Sequence, residues 1–449
     1  MANELWLRNW RVLEASEPAT FDEPKVFTAE CLDAPEACKH CGCVDRLYRH
    51  GVMTLDYKHL PAYWRRVIIR AKVARYRCRE CGKTMMQPLT DMDPARGMTK
   101  DLVEWIGYAS IDNTYASIAR ELDVDEKTVR NISDEYIDRK MAEHVIEAPL
   151  VLGVDELTLM GRKRSIFVDI NGKKLLDIIE SMDQGAVSRW IARLPNKQNV
   201  RIVTMDMWGA YSTVVEDLLP KAKVVVDKWH VVSKANGKLD LVRNRFRRNA
   251  KLMRDRKNPH RGRRLLHAHG KNLSPHRRFI LDGVLLNNPL LNDAWQAKEG
   301  FYAIWEATSR GDAEKRFAEW KASIPDTVPE FRDLAATVDN WHKQIFEYFR
   351  YPFTNAYTEA RNRLVKDFAR AGRGYAFKRI RAKAILKQNI TSRPIEVCYL
   401  CMAHIDTENE VTMKHPWAVP ERILCGRCTA KFHMEEQYAK SMSSTRKSG

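Results

Sequence analysis

Residues 150–157 read LVLGVDEL and residues 200–207 read VRIVTMDM. Each is a short apolar run that carries an acid near its end, Asp155 and Asp206. Runs of this length, rich in Val, Ile and Leu and flanked by polar residues, read as buried strands rather than helices. Three more runs of the same texture surround them, KRSIFVDI (163–170), KLLDIIES (174–181) and AKVVVD (222–227). Helical stretches from Gly185 to Leu194 and from Trp208 to Leu219 separate the later runs. Three strands joined by short turns, followed by helix, strand, helix and strand, predict an α/β domain whose mixed sheet is covered by helices. A doubly wound parallel sheet would alternate from the start. The observed order is the one expected of a ribonuclease-H-like fold.

If the first and fourth strands are neighbours in that sheet, Asp155 and Asp206 project from the same sheet end and can share a cation. Strand-end Asp residues also cap turns and helices, so the pair needs a third acid to decide its meaning. Hydrolysis or transesterification of a phosphodiester requires an activated oxygen nucleophile and a stabilised leaving oxygen, and two magnesium ions about 3.5–4 Å apart supply both. Such hard cations take oxygen ligands from one or two carboxylates, water and substrate phosphate. Glu156 is expected on the opposite strand face from Asp155, and Asp169 is expected to balance a nearby Arg.

The rest of the chain fits a protein that meets a polyanion. In 449 residues, 76 Lys and Arg face 58 Asp and Glu, a formal net charge of +18. Lysines and arginines that neutralise phosphates release condensed counterions, so a strongly basic chain binds nucleic acid with little sequence preference. A hydrophobic content of 44% is enough for several cores and excludes wholesale disorder. The purely apolar stretches stay under ten residues, and the start, MANELWLRNW, lacks a basic segment followed by an apolar run. Neither a membrane span nor a signal peptide is expected, which places the protein in the cytoplasm, at the bacterial nucleoid.

Eight of the ten Cys form four C-x-x-C pairs, Cys38/Cys41, Cys78/Cys81, Cys398/Cys401 and Cys425/Cys428. In a reducing compartment two such knuckles make a closed tetrahedral zinc site that stabilises a segment too small to bury a core. Two structural zinc ions per chain are therefore expected, with Cys43 or His40 as possible substitutes at the first site. The first pair of knuckles encloses strand-like runs such as WRRVIIRAKV (64–73), as in a zinc ribbon.

After a Pro/Asp/Gly-rich stretch at 90–99, expected to be a linker, Asn113 or Thr114 can cap a helix over YASIAREL. Asp123, Val124 and Asp125 then make a turn, and Asp125 caps a second helix beginning EKTVRNIS. This is a helix-turn-helix pattern, with Lys127, Thr128, Arg130 and Asn131 placed where such a helix meets the major groove. A packed helical hairpin with no DNA role would show the same pattern. Further on, RNRFRRNAKLMRDRKNPHRGRR (243–264) carries eleven Lys and Arg against one acid, Asp255, which points Arg243, Arg245, Arg247 and Arg248 toward DNA.

The third acid is Glu359, in the first turns of a helix within TNAYTEARNRLVKDFARAGRGYAFKRIR (354–381), with Asn355, Asn362 and Lys366 along one side. Taken together, GVDE (153–156), TMDMWGAY (204–211), VVVDKWHVV (224–232) and this segment resemble the DDE-type insertion-sequence transposases of the ISL-three family. The resemblance covers residues from about 36 to 388, with ribbon, helix-turn-helix and catalytic domain in the family's order. It implies that Asp155, Asp206 and Glu359 are the catalytic acids and hold two magnesium ions, that the helical stretch between Asp227 and Glu359 interrupts the ribonuclease-H-like fold, and that Asp227 and His230 are auxiliary. It implies DNA backbone contacts for Arg373 and Lys378, and double-stranded DNA, both terminal inverted repeats and target, as partner. Joining two element ends implies at least a homodimer. The second zinc segment has no counterpart in the shared motifs.

The expected organisation is an N-terminal arm and ribbon (1–92), a helix-turn-helix (93–148), a first catalytic part (149–231), a basic helical insertion (232–345), a second catalytic part (346–390) and a small C-terminal zinc-binding segment with tail (391–449). The rival readings are a non-enzymatic regulator built on the same DNA-binding modules and a structure-specific nuclease. The regulator leaves the three acids unexplained. The nuclease would cut but not join.

Overall fold

The computed structural model describes residues 5, 7–20, 22–62, 65–249, 263–372 and 374–387, together with the two-residue strands Met413–Lys414 and Ile423–Leu424. The second set of expected zinc ligands, Cys398, Cys401, Cys425 and Cys428, and also Arg373, lie outside the described residues. The chain divides into two compact units, residues 1–144 with 370–387, and residues 145–369 with 388–449.

In the first unit, β1 (Trp10–Ala15), β2 (Lys25–Cys31), β3 (Leu47–Ala62), β4 (Arg65–Cys78), β5 (Thr84–Met86), β6 (Met92–Asp93) and β7 (Met98–Thr99) form one sheet in the order β1-β2-β4-β3-β7-β6, with β5 on β4. The long β3/β4 hairpin runs antiparallel from Leu47 opposite Cys78. Its period-2 pattern buries Val67, Ile69, Ala71 and Val73 on one face against Phe27, Ala29 and Tyr57. The stretch 90–99 is not a linker. It is a small hairpin, β6 against β7, joined to β3 at Lys58 and closed by Arg96 reaching Asp93. Its Pro and Gly serve the turn, where Gly97 has φ of 62°.

Cys38 and Cys41 sit in the loop between β2 and β3, and Cys78 and Cys81 close β4. The two knuckles repeat one geometry: Gly42 N–H donates to the Cys38 carbonyl (2.8 Å) and Gly82 N–H to the Cys78 carbonyl (3.0 Å), with φ of 74° and 70°. All four sulfurs lie within 4.8 Å of one another. Cys38 Sγ is 3.7 Å from Cys81 Sγ, and Cys41 Sγ is 3.7 Å from Cys78 Sγ. Zn–S bonds of about 2.3 Å in a tetrahedron require sulfurs roughly 3.8 Å apart, so the set fits zinc. His40 is not in this close set, and its Nε2 meets the Thr84 carbonyl (3.2 Å). Cys43 stays close, 3.1 Å from Cys78 Sγ.

Helices α1 (Lys100–Asp112), α2 (Tyr115–Leu122) and α3 (Glu126–Glu143) follow. Thr114 caps α2 through Ser117 N–H, and Asp125 caps α3 through the N–H groups of Lys127 and Thr128. Asp123 takes the left-handed conformation between them (φ 53°). Ile118, Leu122, Val129 and Ile132 are buried as the apolar spacing requires. A buried hydroxyl chain, Ser110 to Ser133 to Tyr115, ties the three helices together.

The second unit holds a five-stranded sheet of β8 (Val151–Leu159), β9 (Arg162–Asp169), β10 (Lys174–Ile179), β11 (Ile202–Met205) and β12 (Lys223–Val226), in the order β10-β9-β8-β11-β12. The first three pair antiparallel, while β8, β11 and β12 run parallel, so the sheet is mixed and the first and fourth strands are neighbours. Helices α4 (Gln184–Arg193) and α5 (Gly209–Leu218) cover one face through Val187, Ile191, Tyr211, Val214 and Val215. Helix α6 (Lys228–Asn249) leads from β12 into a helical region of α7 (Arg263–His267), α8 (Pro275–Leu286), α9 (Pro289–Ala303), α10 (Arg310–Ala322), α11 (Glu330–Asn340) and α12 (His342–Phe346). That region has its own core, in which Val231, Leu239 and Val242 of α6 join Leu291, Trp295, Phe301 and Phe331.

The chain then returns through α13 (Ala356–Ala371), the helix that carries Glu359. Gly153 lets it approach the sheet: a Cβ there would fall 2.6 Å from Val168 and 2.8 Å from the Thr358 hydroxyl. Helix α14 (Phe377–Leu386) belongs to the first unit. There Arg379 forks onto Asp134 with two 2.6 Å bonds, and Lys383 is buried beside the rings of Tyr115 and Tyr375.

The sulfur geometry sets a metal test. Cys78→Ser is expected to lower bound zinc by one equivalent per chain, measured by elemental analysis of the purified protein, and to lower its thermal midpoint. Cys43→Ser is expected to keep the full zinc content.

Candidate active site

The parallel strands β8, β11 and β12 place three acids side by side. The β8/β11 register aligns Thr204 with Gly153, and two steps further Asp206 lies alongside Asp155. Asp227 follows β12, its N–H donating to the Met205 carbonyl (3.0 Å). The carboxyl ends of parallel strands are where open α/β sheets bind ligands. Asp155 does not end its strand as the sequence suggested. Strand β8 runs on to Leu159 because Glu156 to Leu159 continue to pair with β9, so Asp155 points from mid-strand into the site.

Asp155 is buried, and its carboxylate accepts from the Glu156 N–H (2.7 Å) and from Asn362 Nδ2 (2.8 Å). Burial, reinforced by the neighbouring charge of Asp206, pushes its carboxyl up to about 7. Asp227 is raised too, chiefly by burial. His230, one turn into α6, donates from Nδ1 to Asp206. Burial alone would pull the imidazole down, but the Asp206 hydrogen bond and charge, with Asp227 and Asp155 behind, hold it above its ordinary value. Glu359 joins from α13: one ligand atom each of Asp227, His230 and Glu359 lies within 4.8 Å of the others. Glu359 thus meets Asp227 and His230, and His230 in turn holds Asp206 beside Asp155. Asp227 and His230, expected to be auxiliary, are the residues whose ligand atoms lie with that of Glu359; Asp155 and Asp206 are not part of that close set.

Buried carboxylates side by side, one of them pushed to about 7 chiefly by burial and further by its neighbour's charge, are a donor set that a hard divalent cation fits, since its charge offsets both the lost solvation and the repulsion. The other acids have local duties. Glu156 turns to Lys163 (3.0 Å). Asp169 does not balance an Arg; its carboxylate accepts from Gly172 N–H (2.8 Å) and shapes the β9–β10 turn.

Asn355, expected only to lie along one side of the Glu359 helix, fastens that helix to the sheet. This fully buried residue precedes α13, and its carbonyl accepts from the Glu359 N–H (2.9 Å). Its side-chain oxygen accepts from the Thr204 hydroxyl (2.6 Å), its Nδ2 donates to the Val154 carbonyl (3.3 Å) and its backbone N–H donates to Asp227 (3.2 Å). One residue thereby fixes the start of the Glu359 helix to all three acid-bearing strands. The legible sign was Asn one residue before a helix, a common capping choice.

The expected DNA contacts divide. Lys127, Arg130 and Asn131 are exposed on α3, and Thr128 is half-buried. Arg248 is exposed and Arg247 partly buried. Arg243 is corrected: it is buried and paired with Asp240 (3.0 Å), which removes it from a DNA-facing surface. Arg245 pairs with Glu330 (3.0 Å), and Lys378, though exposed, pairs with Asp138 (2.7 Å).

Comparison with known proteins follows this geometry. Residues 152–384 match a family model described as a transposase, the DDE domain of the ISL3 group. Residues 87–137 match the helix-turn-helix domain of transposase family ISL3, and residues 34–81 match the zinc-finger of transposases IS204/IS1001/IS1096/IS1165. The transposase for insertion sequence element IS1001 of Bordetella parapertussis is 22% identical over 348 residues, covering 75% of this chain and 85% of that protein.

Two substitutions test the electrostatics and the fastening. A carboxyl raised in the folded state costs no stability below its unfolded pKa near 4, and the cost grows until pH 7. Without divalent metal, Asp155→Asn should therefore be more stable than wild type at pH 8 by roughly 2–4 kcal/mol, one pKa unit being about 1.36 kcal/mol. The gap in urea midpoints should close toward pH 4. Asn355→Ala strands the Thr204 hydroxyl and the Val154 carbonyl, and should cost roughly 2–4 kcal/mol in the same titration.

Proposed function

The chain belongs to the ISL3 (ISL-three) family of transposases, and from that premise we propose that it binds the terminal inverted repeats of its insertion sequence and carries out magnesium-dependent strand cleavage and strand transfer. As a member of the family it is a DNA-binding, metal-dependent DNA-cleaving enzyme. The observation that carries the finer reading is the crowding of Asp155 and Asp206 on adjacent parallel strands, with the Asp155 carboxyl pushed up to about 7.

In this reading Asp155, Asp206 and Glu359 hold two magnesium ions, with Asp227 and His230 beside them. Bound there, the ions would supply activation of a water or 3′ hydroxyl and stabilisation of the leaving oxygen. The chain's own part is positional. Asn362 orients the Asp155 carboxylate. His230 orients Asp206 and can hold a proton at Nδ1 against its carboxylate. Asn355 fixes the approach of Glu359. No covalent protein–DNA intermediate is needed, because the nucleophile is an oxygen of water or DNA.

The exposed Lys127, Arg130 and Asn131, with Thr128, would read the repeat from the major groove, and the ribbon, held by zinc on Cys38, Cys41, Cys78 and Cys81, would support that contact. Of the four arginines expected to meet DNA in the insertion, Arg248 is exposed and Arg247 partly so. One active site per element end implies a homodimer or larger assembly on DNA. No helix among the described residues is long and apolar enough to cross a membrane. A transposase acts on DNA, which places its action at the cytoplasmic nucleoid in this reading.

The decisive assay gives purified protein an end-containing DNA with magnesium. Cutting and joining are expected from wild type, while Asp206→Ala should bind the DNA with unchanged affinity and cut at least a hundredfold more slowly. Cutting without joining would favour a nuclease, binding alone a regulator, and full cutting by the variant would remove Asp206 from the site.

A further inference from the structure

One feature beside the acids is chemically unlike them. Trp229, the second residue of α6, is 62% exposed, an uncommon place for an indole that has no apolar core to fill. Its ring leans on the His230 imidazole, centroids 5.2 Å apart at 59°, so it stands directly against the histidine that holds Asp206. With Val232, Thr354 and Ala356 it lines a cavity of about 250 Å³ whose remaining wall is Asp227, Lys228 and Glu359.

The two sides of this cavity ask for different things. The carboxylates fit cations and repel a purely apolar or anionic guest. A divalent ion takes oxygen ligands and leaves the indole, Val232 and Ala356 without purpose. The Lys228 ammonium, 5.6 Å from the ring centres of both Trp305 and Tyr348, is occupied by aromatic faces on its other side. An apolar cavity of roughly 150 Å³ takes a benzene ring, so the space here admits a planar ring system of one or two rings with polar edges. The ligand that brings such a ring to a phosphodiester-cleaving site is the DNA strand itself. A base inside a duplex has both faces covered and carries its partner with it, and a whole base pair exceeds a cavity of about 250 Å³, so the ring that fits beside this indole is a base that has left its pair.

We infer that Trp229 is a stacking platform for an unpaired base of the DNA strand, next to the phosphodiester presented to Asp155, Asp206 and Glu359. The inference rests on the cleavage reading above and adds to it a substrate conformation: the strand is locally opened at the point of cutting, and the indole holds the displaced base. An apolar side chain offered for contact with a second protein copy is the competing use of the same exposed ring.

The experiment uses the full chain and end-containing duplexes with 5-iodouracil at the nucleotides flanking the cleaved bond. Irradiation in calcium, with no cutting required, should give an adduct that peptide mass spectrometry places on Trp229. In magnesium, Trp229→Ala should cut fully paired DNA roughly tenfold more slowly, the scale of one base–aromatic stack, and should recover to within about threefold of wild type on DNA left unpaired at those nucleotides. Trp229→Phe should stay near wild type on both. The inference is overturned if no adduct forms at Trp229 and the Ala variant cuts paired DNA normally. It is equally overturned if the Ala variant is slowed alike on paired and unpaired DNA, or if its defect tracks a changed oligomeric state. Wild-type protein that crosslinks through Trp229 but never cuts would instead fail the cleavage reading and leave the stacking intact.

Discussion

The acid site depends on keeping like charges together in a place with little water. Asp155 and Asp206 are brought to neighbouring positions by the parallel β8/β11 register, and burial together with that neighbouring charge raises the Asp155 carboxyl. The surrounding structure answers that cost with fixed polar contacts. Asn362 reaches Asp155, His230 reaches Asp206, and Asn355 binds the three acid-bearing strands to the start of the Glu359 helix. Gly153 completes the arrangement by omission, since any larger residue would push that helix off the sheet. The site is therefore preorganised by neutral amides and one imidazole, which leaves its net negative charge available to cations.

Much of this was legible in the sequence because it follows local rules. Apolar runs of strand length gave the five strands and the mixed topology, and Thr114 and Asp125 marked the helix starts through their capping chemistry. The C-x-x-C spacing led to four sulfurs at zinc-compatible separations. Asp227 and His230 were visible in DKWH, but only the packed structure shows that they share Glu359's corner.

What could not be read depends on partners distant in the chain. Asp155 looked like a strand end because the sequence cannot show how far β9 continues to pair. Arg243 looked like part of a DNA-facing basic run because its burial is decided by the helical core around α6. The stretch 90–99 has the composition of a linker, and it is a hairpin only because Lys58 of β3 accepts it as a neighbour. Asn355 is the same case at larger range, with its side-chain partners at Thr204 and Val154.

Helix α14 carries a consequence for how the molecule can be dissected. Although it follows the Glu359 helix in the chain, its Arg379 and Lys383 are built into the same unit as the helix-turn-helix. The unit that holds the helix-turn-helix is thus discontinuous, and the polypeptide passes between the two units at residues 144–145 and again at 369–370. A fragment stopped at the first crossing would lack the guanidinium that grips Asp134 and the amine lodged beside Tyr115. The helix-turn-helix unit is not one continuous stretch of chain, and the segment that completes it follows the helix bearing Glu359 in the polypeptide.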